Sequence, residues 1–148
     1  MTNRQQAGKR QQAGKRQQAR STDPLVAAAR AVRERAHAPY SRFAVGAAVR
    51  DERGRIHVGC NVENVSYGLT VCAERNAVAA AVAAGARRIQ AVAVVTAARP
   101  PATPCGACRQ VLAEVGDLRT VILVAGPTGA ARRTTLGSLL PRAFVRFS

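Results

Sequence analysis

Apolar and polar positions alternate along this chain in blocks, and each block predicts an element. Asp23-Pro24 offers an N-cap followed by proline at the first helical position, and residues 25–38 read as a helix that Pro39 stops. Residues 43–50 (FAVGAAVR) and 56–62 (IHVGCNV) are strand-like, with Asp51-Glu52-Arg53-Gly54 as the turn of a hairpin. Residues 71–84 form an alanine-rich helix closed by Gly85. The run 91–96 is continuously apolar and rich in valine, as expected of a strand covered on both faces. After a proline-rich loop, a short helix spans about 105–115 and ends at Gly116, and 120–125 is a second strand of the buried type. A Pro127-Thr128-Gly129 turn, a weak strand near Arg133 and a short helix over 136–140 follow. This order predicts a sheet with helices on both faces, in one domain.

The first twenty residues break the pattern. QQAGKR occurs at 5–10 and again at 11–16, and 17–20 begins it a third time as QQAR. A six-residue period fits neither a helix stripe nor a strand alternation, so 1–21 reads as a basic, repetitive, disordered tail and 22–148 as the folded domain. A nucleic-acid arm is the other reading of the tail; a transit peptide fits less well, since hydroxyl residues are scarce.

Composition changes the picture in two places. The chain has 148 residues, 47% of them apolar, enough for one domain with its own core and not the composition of a disordered protein. Its net charge of +15 suggests a polyanionic partner, yet six of the positive charges belong to the tail. The remainder carries 17 arginines, no lysine and all eight acids, a net +9. Four cysteines are too few for a disulfide scaffold, and there is neither an apolar run of about 20 residues nor a secretory h-region. Reduced thiols in the cytoplasm are therefore expected, and metal binding before disulfides.

The candidate chemistry lies at two helix starts. Cys72-Ala73-Glu74 opens one helix and Pro104-Cys105-Gly106-Ala107-Cys108 opens another. Cys105 and Cys108 can reach one ion, with Cys72 as the third ligand. Zinc with three protein ligands keeps its fourth position for water, the catalytic arrangement. Glu74 is placed to shuttle protons without binding the metal. This is the three-cysteine form of the pattern found in zinc nucleobase deaminases. Three thiolates on Zn²⁺ leave a net −1, which helix N-termini and Arg75 can offset. A closed zinc knot with Cys60 as fourth ligand is the structural alternative.

Cys72-Ala73-Glu74-Arg75 together with Pro104-Cys105-Gly106-Ala107-Cys108-Arg109-Gln110 resembles the small, homotetrameric cytidine deaminases. The likeness extends to 38–48 (APYSRFAVGAA), to Gly59-Cys60-Asn61-Val62-Glu63-Asn64 and to 139–144 (LLPRAF), so it covers about residues 22–148. It implies a three-layer α/β/α fold around a mixed sheet of about five strands, and one Zn²⁺ per subunit held by Cys72, Cys105 and Cys108. Glu74 would be the catalytic proton carrier. Asn61 and Glu63 would hold the ribose hydroxyls, Phe43 would face the pyrimidine, the Ala73 carbonyl would hold the amino group, and Phe144 would reach a neighbouring subunit's site. Arg75 would bond the ligand sulfurs, with Gln110 as its partner. Cys60 is expected as a small buried residue at a strand end, His37 and His57 as surface or satisfied histidines.

The activity this implies is hydrolytic deamination of cytidine and deoxycytidine, a pyrimidine-salvage reaction, in the cytoplasm, with no membrane partner. Two other deaminases share the zinc motif. A nucleic-acid editor would need aromatics along a strand, which this chain lacks, and enclosing the sugar leaves little room for phosphates, so nucleic acid is not the expected partner. A deaminase of a cytosine-containing antibiotic would not be expected to carry Asn61-Val62-Glu63-Asn64. A basic zinc module without activity is the non-enzymatic alternative.

Overall fold

The computed structural model describes residues 23–145. The expected tail at 1–21 lies outside these residues. Helix α1 (Pro24–Arg33) starts as the sequence indicates: the Asp23 carboxylate accepts from the Leu25 N–H at 2.9 Å, ahead of Pro24. It ends several residues before the expected 38. Two turns follow (Arg35 N–H to the Val32 carbonyl, Ala36 N–H to the Arg33 carbonyl), and His37 then pairs with the segment that holds Asn61 and Glu63. The backbone bonds of His37 to Asn61 and Glu63 take the place of further helix.

Strands β1 (Gly46–Asp51) and β2 (Ile56–Cys60) form the expected hairpin. Helix α2 (Ala73–Ala83) leads to β3 (Ile89–Val95), and α3 (Gly106–Val115) to β4 (Val121–Ala125). The short β5 (Arg132–Thr135) and α4 (Leu136–Leu139) come last. The five strands form one sheet in the order β2-β1-β3-β4-β5. Only β3 and β4 are parallel, and α3 makes the crossover between them; the other pairs are antiparallel. The sheet is mixed and the domain three-layered, as expected.

Period-two alternation divides the strands between the two faces. Ala48, Ala91, Ala93, Val95 and Ala125 pack with Leu25, Val26 and Ala29 of α1. Ala47, Val49, Val92, Val94, Ile122 and Val124 pack with Ala73, Ala77, Val78 and Ala81 of α2 and Leu112 of α3. Small side chains let the helices approach closely. A Cβ on Gly59 would stand 2.4 Å from the Ala77 nitrogen and 2.5 Å from the Ala73 oxygen, so only glycine lets the start of α2 press onto β2. The core is aliphatic throughout, and Tyr40, Phe43, Tyr67 and Phe144 are all exposed.

Candidate active site

Two helices that pack on the same sheet face begin at one point. Cys72 is the N-cap of α2, Cys105 the N-cap of α3, and Cys108 lies in the first turn of α3. Neither N-cap thiol bonds its own helix, which leaves both sulfurs free for another partner. The Cys72 and Cys105 sulfurs are 4.0 Å apart, and all three lie within 4.8 Å of one another. Tetrahedral zinc with Zn–S near 2.3 Å requires sulfurs about 3.8 Å apart. Three soft donors at this spacing fit zinc, and with them the positive ends of two helix dipoles. Cys60 is not in the cluster; its thiol is half-buried and contacts the Arg35 carbonyl at 3.5 Å. The closed four-cysteine knot is thereby excluded.

Charge is unevenly shared among the thiols. The Cys72 thiol is pushed down to about 5, first by a hydrogen bond from Cys108, then by Arg75 and by Cys105. Cys108, fully buried, is pushed up, because it donates to Cys72 and because burial disfavours its thiolate. Glu74, the second residue of α2, is buried, and burial raises its carboxyl pKa, with the Cys72 charge adding to the shift. Arg75 donates through Nη2 to the Thr70 carbonyl at 2.9 Å, while its buried Nε has no acceptor. Gln110 makes a different contact from the one expected: its amide donates to the Phe144 carbonyl at 2.6 Å.

Above the cluster opens a cleft of about 430 Å³. Cys72, Cys105, Ala73 and Glu74 line it together with Phe43, Asn61 and Glu63. Six of the sequence-derived residues thus share one cavity with Phe43. Asn61 is buried and clamps the backbone: Nδ2 donates to the Phe43 carbonyl and Oδ1 accepts from the Val45 N–H, both at 2.8 Å. That clamp replaces the first residues of the expected strand, which is why β1 starts at Gly46. Glu63 is gripped by the loop carrying Tyr40 and Ser41. Phe144 is 61% exposed and does not line the cleft.

Sequence reasoning assigned no task to Arg109, although it follows directly on Cys108. Its guanidinium donates to the Pro104 carbonyl (2.7 Å), the Leu139 carbonyl (2.8 Å) and the Thr103 hydroxyl (3.0 Å), which ties the loop before Cys105 to α4. Thr96 has a similar function: it is buried and accepts from the Ala102 N–H at 3.0 Å, fixing the proline loop on the cleft wall. Neither set of contacts has a local sequence signal, because most of the partners are backbone atoms set by the fold.

A mixed five-stranded sheet sandwiched by helices, with three thiols and a buried glutamate at two helix starts, defines a zinc-dependent deaminase. Residues 20–125 match the family model described as the cytidine and deoxycytidylate deaminase zinc-binding region. A cytidine deaminase of Sporosarcina psychrophila is 45% identical over 122 residues, covering 82% of this chain and 90% of that protein. The crystal structure of a cytidine deaminase from Burkholderia pseudomallei superposes with a TM-score of 0.78 at 50% identity, covering 82% of this chain and 97% of that one. That of Mycobacterium tuberculosis gives 0.73 at 46% identity, over 82% and 95%. The chain belongs to the cytidine deaminase family.

Proposed function

We propose that this chain hydrolyses cytidine and 2'-deoxycytidine to uridine and 2'-deoxyuridine with release of ammonia, a reaction of pyrimidine salvage. The observation that carries the reading is the position of Glu74. It is a buried carboxyl beside the thiol cluster, its pKa raised by that burial, and it lines a cleft that an amide and a second carboxylate also line. Zinc held by Cys72, Cys105 and Cys108 supplies a Lewis acid that lowers the pKa of a water.

Glu74 accepts a proton from the attacking water as its oxygen bonds C4, and delivers that proton to N3. It then carries the remaining hydroxyl proton to the exocyclic nitrogen, the C4–N bond breaks, and ammonia leaves behind a C4 carbonyl. The Ala73 carbonyl accepts from the departing amino group, Phe43 lies along the pyrimidine, and Asn61 and Glu63 hold the sugar hydroxyls. Arg75 offsets the charge of the thiolates, and Gln110 secures the segment of Phe144. The catalytic domain is residues 22–148.

The assembly we propose is a homotetramer. Val65, Tyr67, Leu69 and Phe144 are each more than 60% exposed in the single chain, and a neighbouring copy is the partner that would cover them. No helix among the described residues is long and apolar enough to cross a membrane. Four unpaired cysteines suit the reducing cytoplasm.

The test follows ultraviolet absorbance as the zinc-loaded protein meets cytidine, deoxycytidine, cytidine monophosphate and single-stranded DNA. Turnover of the two nucleosides alone is expected. Absence of cytidine turnover would refute the assignment, and turnover of the single strand would move it to nucleic-acid editing. Sedimentation at assay concentration checks the tetramer.

A further inference from the structure

One residue on the wall of the cleft does work that the reaction as described leaves unassigned. Ser41 donates its hydroxyl to Glu63 Oε1, and Ser41 Oγ in turn accepts from the Phe43 N–H at 3.0 Å. A hydroxyl has one proton to give. With the Phe43 N–H against its lone pair, that proton is committed to the carboxylate. The backbone completes the grip: the Tyr40 N–H donates to Oε2 at 2.8 Å, and the Ser41 N–H spans both oxygens at 3.2 and 3.3 Å. Between Ser41 and Phe43, Arg42 adopts φ 57°, a left-handed conformation that a side chain other than glycine seldom takes. This turn brings the Phe43 N–H back onto the Ser41 oxygen. Ser41 and Arg42 are both exposed, so no core packing requires the arrangement.

The geometry points to Ser41 as a positioning residue for substrate recognition: with the Phe43 N–H against its lone pair, its hydroxyl is aimed at Glu63 and presents the carboxylate to the sugar. The inference rests on the nucleoside reading of the cleft. A carboxylate offers about four lone-pair sites, and the Ser41 hydroxyl, Ser41 N–H and Tyr40 N–H use three. The remaining site takes a single hydroxyl, so Glu63 engages one sugar oxygen rather than chelating a diol. The carboxyl is also held below its ordinary pKa range, with the Ser41 hydrogen bond first among the causes.

The experiment compares kcat/KM for cytidine with that for 2',3'-dideoxycytidine, which lacks the 2'- and 3'-hydroxyls and so offers Glu63 neither of the two oxygens it could engage. Ser41→Ala is expected to lower the value for cytidine about tenfold, chiefly through KM, and to leave the dideoxy value within about twofold. Ser41→Thr, which keeps the hydroxyl, restores most of the loss. A merely structural serine would depress both substrates together, and that result overturns the inference, as does an unchanged KM for cytidine. Melting curves confirm that each variant folds. Glu63→Ala is the control. If it discriminates between the substrates and Ser41→Ala does not, the inference alone fails; if Glu63→Ala itself does not discriminate, the sugar role of Glu63 fails with it.

Discussion

The sulfurs of Cys72 and Cys105, 33 residues apart in sequence, lie 4.0 Å from each other because each is the N-cap of a helix that begins over the same sheet face. Neither helix alone makes a metal site. Cys105→Ala is expected to abolish stoichiometric zinc and to lower the melting temperature to that of the metal-stripped protein. Zinc uptake by the stripped protein should release protons, since Cys108 holds its proton firmly. Calorimetry in buffers of different ionisation enthalpy reads that release. Full zinc content in Cys105→Ala would remove this residue from the ligand set.

Glu74 is isosteric with glutamine but not replaceable by it as a proton carrier. Glu74→Gln should retain zinc and fold while kcat drops about 10³-fold or more, since the carboxylate serves as both acid and base. Metal content, circular dichroism and single-turnover rates measured together check the prediction. An active, zinc-loaded Glu74→Gln enzyme would refute the proposed proton path.

Gln110 ties α3, the helix bearing Cys108, to the C-terminal segment through the Phe144 carbonyl. Gln110→Ala removes one hydrogen bond at an exposed site. A two- to tenfold rise in KM with little change in kcat is the expected range for that loss. Phe144→Ala should act on KM in the same direction. If neither variant moves KM or the sedimentation profile, Phe144 has no part in substrate binding or assembly.

Asp51 gives the fold a pH dependence of known sign. It is fully buried at the end of β1, where burial by itself would raise its pKa. Bonds from His57 Nε2 (2.9 Å), the Arg55 and Arg53 N–H groups (2.9 Å each) and Arg55 Nε (2.8 Å) prevail and hold the carboxyl far below its ordinary range. A folded-state pKa below the unfolded value of about 3.9 means stability that is present above that pH and is lost as the pH falls. The melting temperature should therefore drop steeply below about pH 4. Asp51→Asn should be less stable at pH 7 and show a shallower acid slope. An equally steep slope in the variant would assign acid sensitivity to other carboxylates.

The elements legible in the sequence were those with a local cause. Asp23-Pro24 capped α1, the valine run of β3 announced a buried strand, and Gly85 and Gly116 marked helix ends. The Cys72-Ala73-Glu74 and Cys105–Cys108 spacings carried the metal chemistry. His57, expected as a surface or satisfied histidine, is bonded to Asp51. Helix α1 ends before the expected residue 38 because His37 leaves the helix to pair with Asn61 and Glu63, a contact 24 to 26 residues distant. Strand β1 starts later than the expected residue 43 because the Asn61 amide, not a neighbouring strand, binds the backbone of Phe43 and Val45.

The chain's order of residues by itself determined which groups would do chemistry, since thiol, carboxylate and guanidinium carry their reactivity wherever they stand, and short spacings place them on one turn. Tertiary structure decided how those groups are aimed. The sheet set two helix starts against each other so that three thiols meet, glycine at position 59 let α2 settle close enough to do so, and a loop gripped Glu63. Such contacts join backbone atoms to side chains far away in sequence, and backbone atoms are alike at every residue. Nothing local marks which of them will be met, so only the packed fold selects them.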